Sequence, residues 1–201
     1  MKKILGSTII TMLLSTPFVE ASVYIGLEQA LSYKVKNTSE VGSYSESNSE
    51  SPTISSLKIG GISGSKKAGN RYEFLYNFGD QSANPVGGLK GEDVISFNLH
   101  ANITVPSISP IESILPYLRL GISYVISSDK YHVNGTSDEE NYSAVGFLIG
   151  LGTYYQVTDN INLSVGVDSG YRLWRDLNYG TTTIESEDKV SKLYIGVDYL
   201  F

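Results

Sequence analysis

The segment that decides the fold is residues 190–201, which reads Val-Ser-Lys-Leu-Tyr-Ile-Gly-Val-Asp-Tyr-Leu-Phe. Every second residue from Leu193 to Phe201 is apolar, and the residues between them are mixed and partly charged. An alternation with a period of two predicts a β-strand, because successive side chains of a strand point to opposite faces. The segment is therefore predicted to be a strand with one apolar and one polar face.

The same alternation recurs in seven segments before residue 190. The predicted strands are residues 23–36, 54–62, 71–78, 95–105, 117–126, 142–156 and 162–174, with residues 190–201 as the eighth. Eight strands of roughly 8 to 15 residues are an even number of suitable length for tilted crossings of a bilayer.

Polar segments connect these strands, and long connections alternate with short ones. Residues 37–53, 81–91, 127–141 and 176–189 are predicted as long, solvated loops, and residues 63–70, 106–116 and 157–160 as turns, although the turn 106–116 is as long as the loop 81–91. Asn134-Gly135 predicts a tight turn within the third loop. Pro106, Pro110 and Pro116 exclude a central strand over 106–116. Long loops on one side and short turns on the other are typical of outer-membrane barrels.

The first 21 residues have the pattern of a secretory signal peptide. Lys2 and Lys3 precede a short apolar run over residues 4–14, Pro17 interrupts the segment, and Val-Glu-Ala at 19–21 is an acceptable cleavage site. The predicted domains are thus residues 1–21, a signal peptide, and residues 22–201, a barrel.

Composition excludes several classes of function. There is no cysteine, so the chain has no disulfide and no thiolate for catalysis or metal binding. Without the signal peptide, 13 basic and 20 acidic residues give a net charge of −7, which argues against nucleic-acid binding.

Alternation alone leaves open which face points outward, since a soluble barrel such as a lipocalin would turn its apolar face inward. Here the apolar faces are nearly free of charge, while the other faces combine Gly, Ser and Asn with charges of both signs. Small residues with paired charges suit a narrow, filled lumen. We therefore predict an all-β, eight-stranded antiparallel up-and-down transmembrane β-barrel with a filled polar lumen.

Two sets of residues follow from this orientation. The predicted lumen charge network consists of Glu28, Lys34, Glu73, Arg119, Asp168, Arg172, Lys192 and Asp198. The predicted lipid-facing aromatic girdles are Tyr72, Tyr155 and Phe201 at the short-turn end and Tyr33, Phe78, Tyr124 and Tyr171 at the long-loop end.

Three segments carry a family resemblance. Residues 116–124 read Pro-Tyr-Leu-Arg-Leu-Gly-Ile-Ser-Tyr, residues 150–160 read Gly-Leu-Gly-Thr-Tyr-Tyr-Gln-Val-Thr-Asp-Asn, and residues 199–201 read Tyr-Leu-Phe. In these segments the chain resembles the small eight-stranded outer-membrane proteins of Gram-negative bacteria, the OmpA/OmpX-like β-barrel superfamily. The resemblance implies that Tyr199 and Phe201 form an assembly signal for the barrel-assembly machinery.

The sequence offers little for catalysis or cofactor binding. His100 lies on the lumen face, where a hydrogen-bonded polar residue is the expected role, and no P-loop or zinc pattern occurs. Acidic residues in the long loops, such as 138–140, favour solubility, with divalent-cation binding beside lipopolysaccharide as the alternative. We predict no catalytic, metal or cofactor site.

These observations predict a non-enzymatic protein of the cell outer membrane with a structural or adhesin-like role through its extracellular loops. The alternatives are a narrow channel for small solutes or ions and an outer-membrane lipid-modifying enzyme. The predicted partners are outer-membrane lipid and lipopolysaccharide, the barrel-assembly machinery and a host or surface ligand at the loops.

Overall fold

The computed structural model describes residues 22–79, 82–83, 92–109, 111–132, 139–179 and 181–201. The predicted signal peptide and the predicted Asn134-Gly135 turn lie outside the described residues.

Eight antiparallel strands form a closed barrel, in which each strand pairs with the next and strand 1 also pairs with strand 8. Strands 1 to 8 are Ser22–Val41, Ile54–Ser63, Asn70–Gly79, Glu92–Thr104, Ile114–His132, Glu139–Gln156, Ile161–Trp174 and Thr182–Leu200. Short strands at Tyr44–Glu50, Ser82–Ala83 and Leu177–Tyr179 pair with strands 1, 4 and 8, and a 3-10 helix spans Pro106–Ile108. The predicted fold class is confirmed.

The apolar face of the strands points outward, as predicted. In strand 8, Leu193 and Tyr199 are 39% and 48% exposed, whereas Tyr194 and Asp198 are fully buried in the lumen. An outward row of large apolar side chains is unsuited to water but suits lipid. Among the described residues, no helix is long and apolar enough to cross a membrane.

Several strands are longer than predicted at the long-loop end. Residues 37–50 form a hairpin of strand 1 with Tyr44–Glu50 rather than a loop, and strand 8 begins at Thr182 rather than near residue 190. Strand 5 continues to His132, and strand 6 begins at Glu139. The loop prediction was wrong because it took the polar composition of these segments as the sign of an unpaired loop. Pairing with neighbouring strands satisfies their backbone groups even where both partners are hydrophilic.

Pro116 lies within strand 5, which corrects its assignment to a connection. It is opposite Thr153 near the start of the strand, and its carbonyl accepts a hydrogen bond from the Val105 backbone N–H at 2.8 Å. Proline lacks the backbone N–H donor but keeps the carbonyl acceptor. It is therefore tolerated near the beginning of a strand, where one missing donor interrupts the ladder least.

A β-bulge in strand 1 reverses the predicted orientation of the residues that follow it. Leu31 and Ser32 both point outward opposite the single residue Leu193, so that Tyr33 is buried in the lumen and Lys34 is exposed on the outer surface. Bulges insert one residue into a strand and re-aim its side chains. The assignments of Lys34 to the lumen network and of Tyr33 to the outer girdle were therefore wrong.

Candidate functional site

Arg119 of strand 5 lies at the centre of the lumen and is fully buried. Its Nη2 donates to Glu73 Oε1 at 2.7 Å, and its Nη1 donates to Asp168 Oδ2 at 3.1 Å. Glu28 Oε2 lies 3.4 Å from Nη1, while Nε donates to Asn102 Oδ1 at 3.0 Å. The guanidinium thus joins strands 1, 3, 4 and 7 to strand 5, and its positive charge is shared by three carboxylates.

Lys192 extends this cluster on the side of strand 8. Its Nζ lies 2.5 Å from Glu28 Oε1 and 3.7 Å from Asp168 Oδ2. Each of these carboxylates therefore contacts both Lys192 and Arg119, which makes a single connected network.

A second cluster lies around Asp198, towards the short-turn end. Lys58 Nζ approaches Asp198 Oδ1 at 2.7 Å, and Arg71 Nη1 approaches Oδ2 at 3.4 Å. The Arg71 guanidinium also lies 3.7 Å from the centre of the Tyr154 ring, an arrangement typical of a cation–π interaction.

A third pair occupies the long-loop end of the lumen. Arg172 Nη1 is 4.0 Å from Asp188 Oδ2, and Arg172 Nη2 donates to the Tyr33 hydroxyl at 2.5 Å. Asn37 Nδ2 donates to the other oxygen of Asp188 at 2.9 Å.

The buried charges balance among the described residues. Five buried cations, Lys58, Arg71, Arg119, Arg172 and Lys192, face five buried anions, Glu28, Glu73, Asp168, Asp188 and Asp198. A buried charge without a partner is strongly unfavourable. The pairing of these ten side chains therefore allows charged residues to fill the lumen.

The structure brings together seven of the eight predicted network residues and excludes Lys34. Sequence analysis missed Lys58, Arg71 and Asp188. Arg71 carried a usable signal, because it shares the lumen face of strand 3 with Glu73. Lys58 lies between Leu57 and Ile59 in a strand whose Gly60-Gly61 obscured the alternation, and Asp188 was assigned to a loop.

His100 lies in the lumen, as its alternation predicts. It is 2% exposed, and its Nδ1 lies 3.2 Å from Glu73 Oε1. The Tyr24 hydroxyl donates to the other oxygen of Glu73 at 2.8 Å. Since His100 is enclosed among these side chains, it has no access to the lipid-facing surface.

Tyrosine rings fill the short-turn half of the lumen next to glycines. A Cβ added at Gly60, Gly152 or Gly166 would lie within about 2.6 Å of the ring of Tyr24, Tyr117 or Tyr194. Glycine is required where another group approaches the backbone so closely. The Tyr117 and Tyr194 hydroxyls meet at 2.6 Å across the barrel.

The lumen is also filled at the long-loop end, where an apolar cluster lies above the charged layers. This cluster consists of Val94, Val125, Tyr142, Ala144, Trp174, Leu177 and Ile184. The Tyr142 and Trp174 rings stack with centroids 4.5 Å apart. Between the cluster and Arg119, a cavity bordered by Tyr33, Asn98 and Arg172 measures about 30 Å³. A space of this size holds one or two water molecules.

The outward apolar surface and the filled, ion-paired interior are those of an eight-stranded transmembrane β-barrel, the fold of small outer-membrane proteins.

Among solved structures, the chain is similar to Neisserial surface protein A, with 15% identity and a TM-score of 0.51 over 90% of this chain and 99% of that one. It is also similar to a major outer membrane protein from Thermus thermophilus, with 13% identity and a TM-score of 0.47 over 90% and 99% of the two chains. It is also similar to Ail, the attachment invasion locus protein of Yersinia pestis, with 14% identity and a TM-score of 0.38 over 87% of this chain and 97% of that one. No protein-family model and no curated protein matches the sequence. At 15% identity, the similarity to Neisserial surface protein A shows the fold alone.

Proposed function

We propose that this protein is a non-enzymatic, non-conducting outer-membrane barrel that interacts with other surfaces through the extracellular ends of its strands. The observation that carries the proposal is the polar hairpin of strand 1 and Tyr44–Glu50, which continues the barrel wall beyond the lipid-facing band.

The hairpin is held to the barrel from its inner side. Ser39 and Ser186 hydroxyls lie 2.9 Å apart, and the backbone pairs with strand 8 up to Val41 and Ile184. The outer side is left exposed, and Tyr44 beside the Gly42 turn is 66% exposed. A tyrosine on a supported strand loses little conformational freedom on binding, which is why tyrosine is enriched at binding hot spots.

The lumen supports the non-conducting and non-enzymatic parts of the proposal. Ion pairs and tyrosine rings occupy the space that a solute would need, and an eight-stranded barrel is only wide enough for its own side chains. His100, the histidine that a lipid-modifying reaction would require at the surface, points to Glu73 inside the barrel.

Adhesion of intact cells tests the surface role. The protein is expressed in a non-adherent Gram-negative strain, and attachment to epithelial monolayers and to immobilised extracellular-matrix proteins is counted. We expect attachment above that of the empty strain and a several-fold loss in Tyr44→Ser. Ile108→Ser is the matched control, since it removes an equally exposed apolar side chain, 67% exposed, from the opposite rim. Attachment equal to that of the empty strain contradicts the proposal.

A further inference from the structure

The bulge in strand 1 creates a cluster of three exposed lysines on the outer surface of the barrel. After the bulge, Lys34 and Lys36 point outward, and Lys36 lies directly opposite Lys189 of strand 8. Lys34 lies opposite Ser191, which is in turn opposite Ser169 of strand 7. We call Lys34, Lys36 and Lys189 the lysine cluster.

The lysine cluster borders an open groove of about 340 Å³. Besides the three lysines, the groove is lined by Glu50, by two valines and by serines 49, 51, 169 and 191. Three cations and one carboxylate give the groove a positive charge, although the chain as a whole is acidic. The serine hydroxyls provide hydrogen-bond donors beside the ammonium groups.

Nearby carboxylates neutralise the lysine cluster only in part. Lys189 Nζ is 4.0 Å from Glu187 Oε1, and the Glu50 carboxylate also lines the groove. Glu187 also accepts a hydrogen bond from the Tyr171 hydroxyl. Like charges directly opposite on paired strands are destabilising, so the pair Lys36 and Lys189 favours an anion between them.

The position of the cluster identifies the kind of anion. On the same outer face, the next apolar residues towards the short-turn end are Leu31, Val167 and Leu193, which are exposed by 57%, 52% and 39% and belong to the lipid-facing band. Towards the hairpin the outward residues become acidic, with Glu185 and Glu40 exposed. Along strands 1 and 8, the lysines therefore lie where the outward apolar row ends, a position that suits lipid headgroups.

We propose that the lysine cluster binds the phosphate groups of an anionic lipid in the leaflet that faces the long hairpins. The acyl chains of this lipid lie against the apolar band next to Leu31 and Leu193, and its phosphates lie between Lys36, Lys189 and Lys34. Lysine is a common point-charge ligand for phosphate. This site lies at the base of the hairpin, whereas the adhesion surface lies at its tip around Tyr44, and either assignment can fail without the other.

Native mass spectrometry of the folded protein in detergent tests the site. The protein is titrated with a doubly phosphorylated lipid A, with the same lipid after removal of its phosphates and with inorganic phosphate. We expect the phosphorylated lipid to bind most tightly, and K34S/K36S to lower its affinity by about tenfold or more. The matched control is K66S/K67S, which removes two lysines from the turn between strands 2 and 3 at the opposite rim and is expected to leave the affinity unchanged.

Three results overturn the proposal. Equal affinity for the lipid without phosphates shows that acyl chains alone are recognised. Equal losses in both double variants show an effect of net charge rather than a site. Binding of inorganic phosphate with the affinity of the lipid, and with the same dependence on Lys34 and Lys36, identifies a phosphate site that does not recognise lipid.

Discussion

At the scale of single residues, Arg119 is the point at which the lumen network converges. Its guanidinium contacts Glu28, Glu73 and Asp168, which come from three different strands. Removing one partner of a buried ion pair leaves an uncompensated charge in a medium that solvates it poorly. Arg119 is therefore expected to affect barrel stability rather than any reaction.

We expect Arg119→Met to lower the free energy of unfolding by about 3–5 kcal/mol, because carboxylates remain buried without their cation. Urea unfolding of the barrel in lipid vesicles measures this change. Lys67→Met is the matched control, since Lys67 is exposed and its Nζ is 3.9 Å from Asp159. An exposed pair contributes about 0–1 kcal/mol, so equal effects of the two variants argue against the central role of Arg119.

Phe201 is expected to act in assembly more than in the folded state. It is 60% exposed on the outer face, and its ring packs edge-on against Tyr199 with centroids 5.2 Å apart. We propose that these two aromatics are read by the barrel-assembly machinery. Phe201→Ala should therefore reduce surface levels, quantified by labelling intact cells, whereas Phe78→Ala, another lipid-facing aromatic, should leave them near normal. Normal surface levels of Phe201→Ala contradict the assembly role.

At the scale of elements, the alternation of side chains predicted the barrel well, because it is a local property of each strand. Residues 190–201 indicated both faces of strand 8, and the structure places every residue of that segment's apolar row outside. The number of strands and their antiparallel order were predictable for the same reason, whereas the outward apolar face was predictable from the lack of charge on the apolar rows.

Features that depend on pairing between distant segments were not predictable. Leu31, Ser32 and Tyr33 continue an apparently regular alternation, and the bulge results from their register with Leu193 of strand 8. The hairpin over 37–50 has the composition of a loop, and it forms a strand because strand 8 supplies its backbone partners. The seven network residues that lie in the lumen are on regularly paired parts of their strands, Glu28 before the bulge in strand 1 and Arg119 before the irregularity between Ile126 and Lys130 in strand 5.

Single cysteines test the bulge directly, since the natural chain contains none. We expect Lys34→Cys to react rapidly with a water-soluble maleimide in the detergent-solubilised barrel, and Tyr33→Cys to react slowly, because the bulge buries position 33 and exposes position 34. Mass spectrometry of the labelled protein gives both rates. The opposite order of rates would mean that strand 1 continues without a bulge.

At the scale of the whole molecule, the barrel is inside-out relative to a soluble protein, with its apolar residues on the surface and its charges within. Lipid removes the need for an apolar core, but every buried charge and backbone group must then find a partner inside the barrel. The balanced network around Arg119, the tyrosines next to glycines and the apolar cluster around Trp174 together fill the lumen. With the lumen filled in this way, the described residues that other molecules can reach lie on the outer surface and on the polar hairpins.

Planar-bilayer recording shows whether the lumen is filled and closed. Folded protein, verified by a change of gel mobility on boiling, is added to a bilayer in which a known porin gives channel steps under the same conditions. We predict no discrete conductance steps, because the charged layers and the apolar cluster leave no continuous path. Reproducible steps of uniform size that disappear when the protein is omitted would contradict a closed lumen.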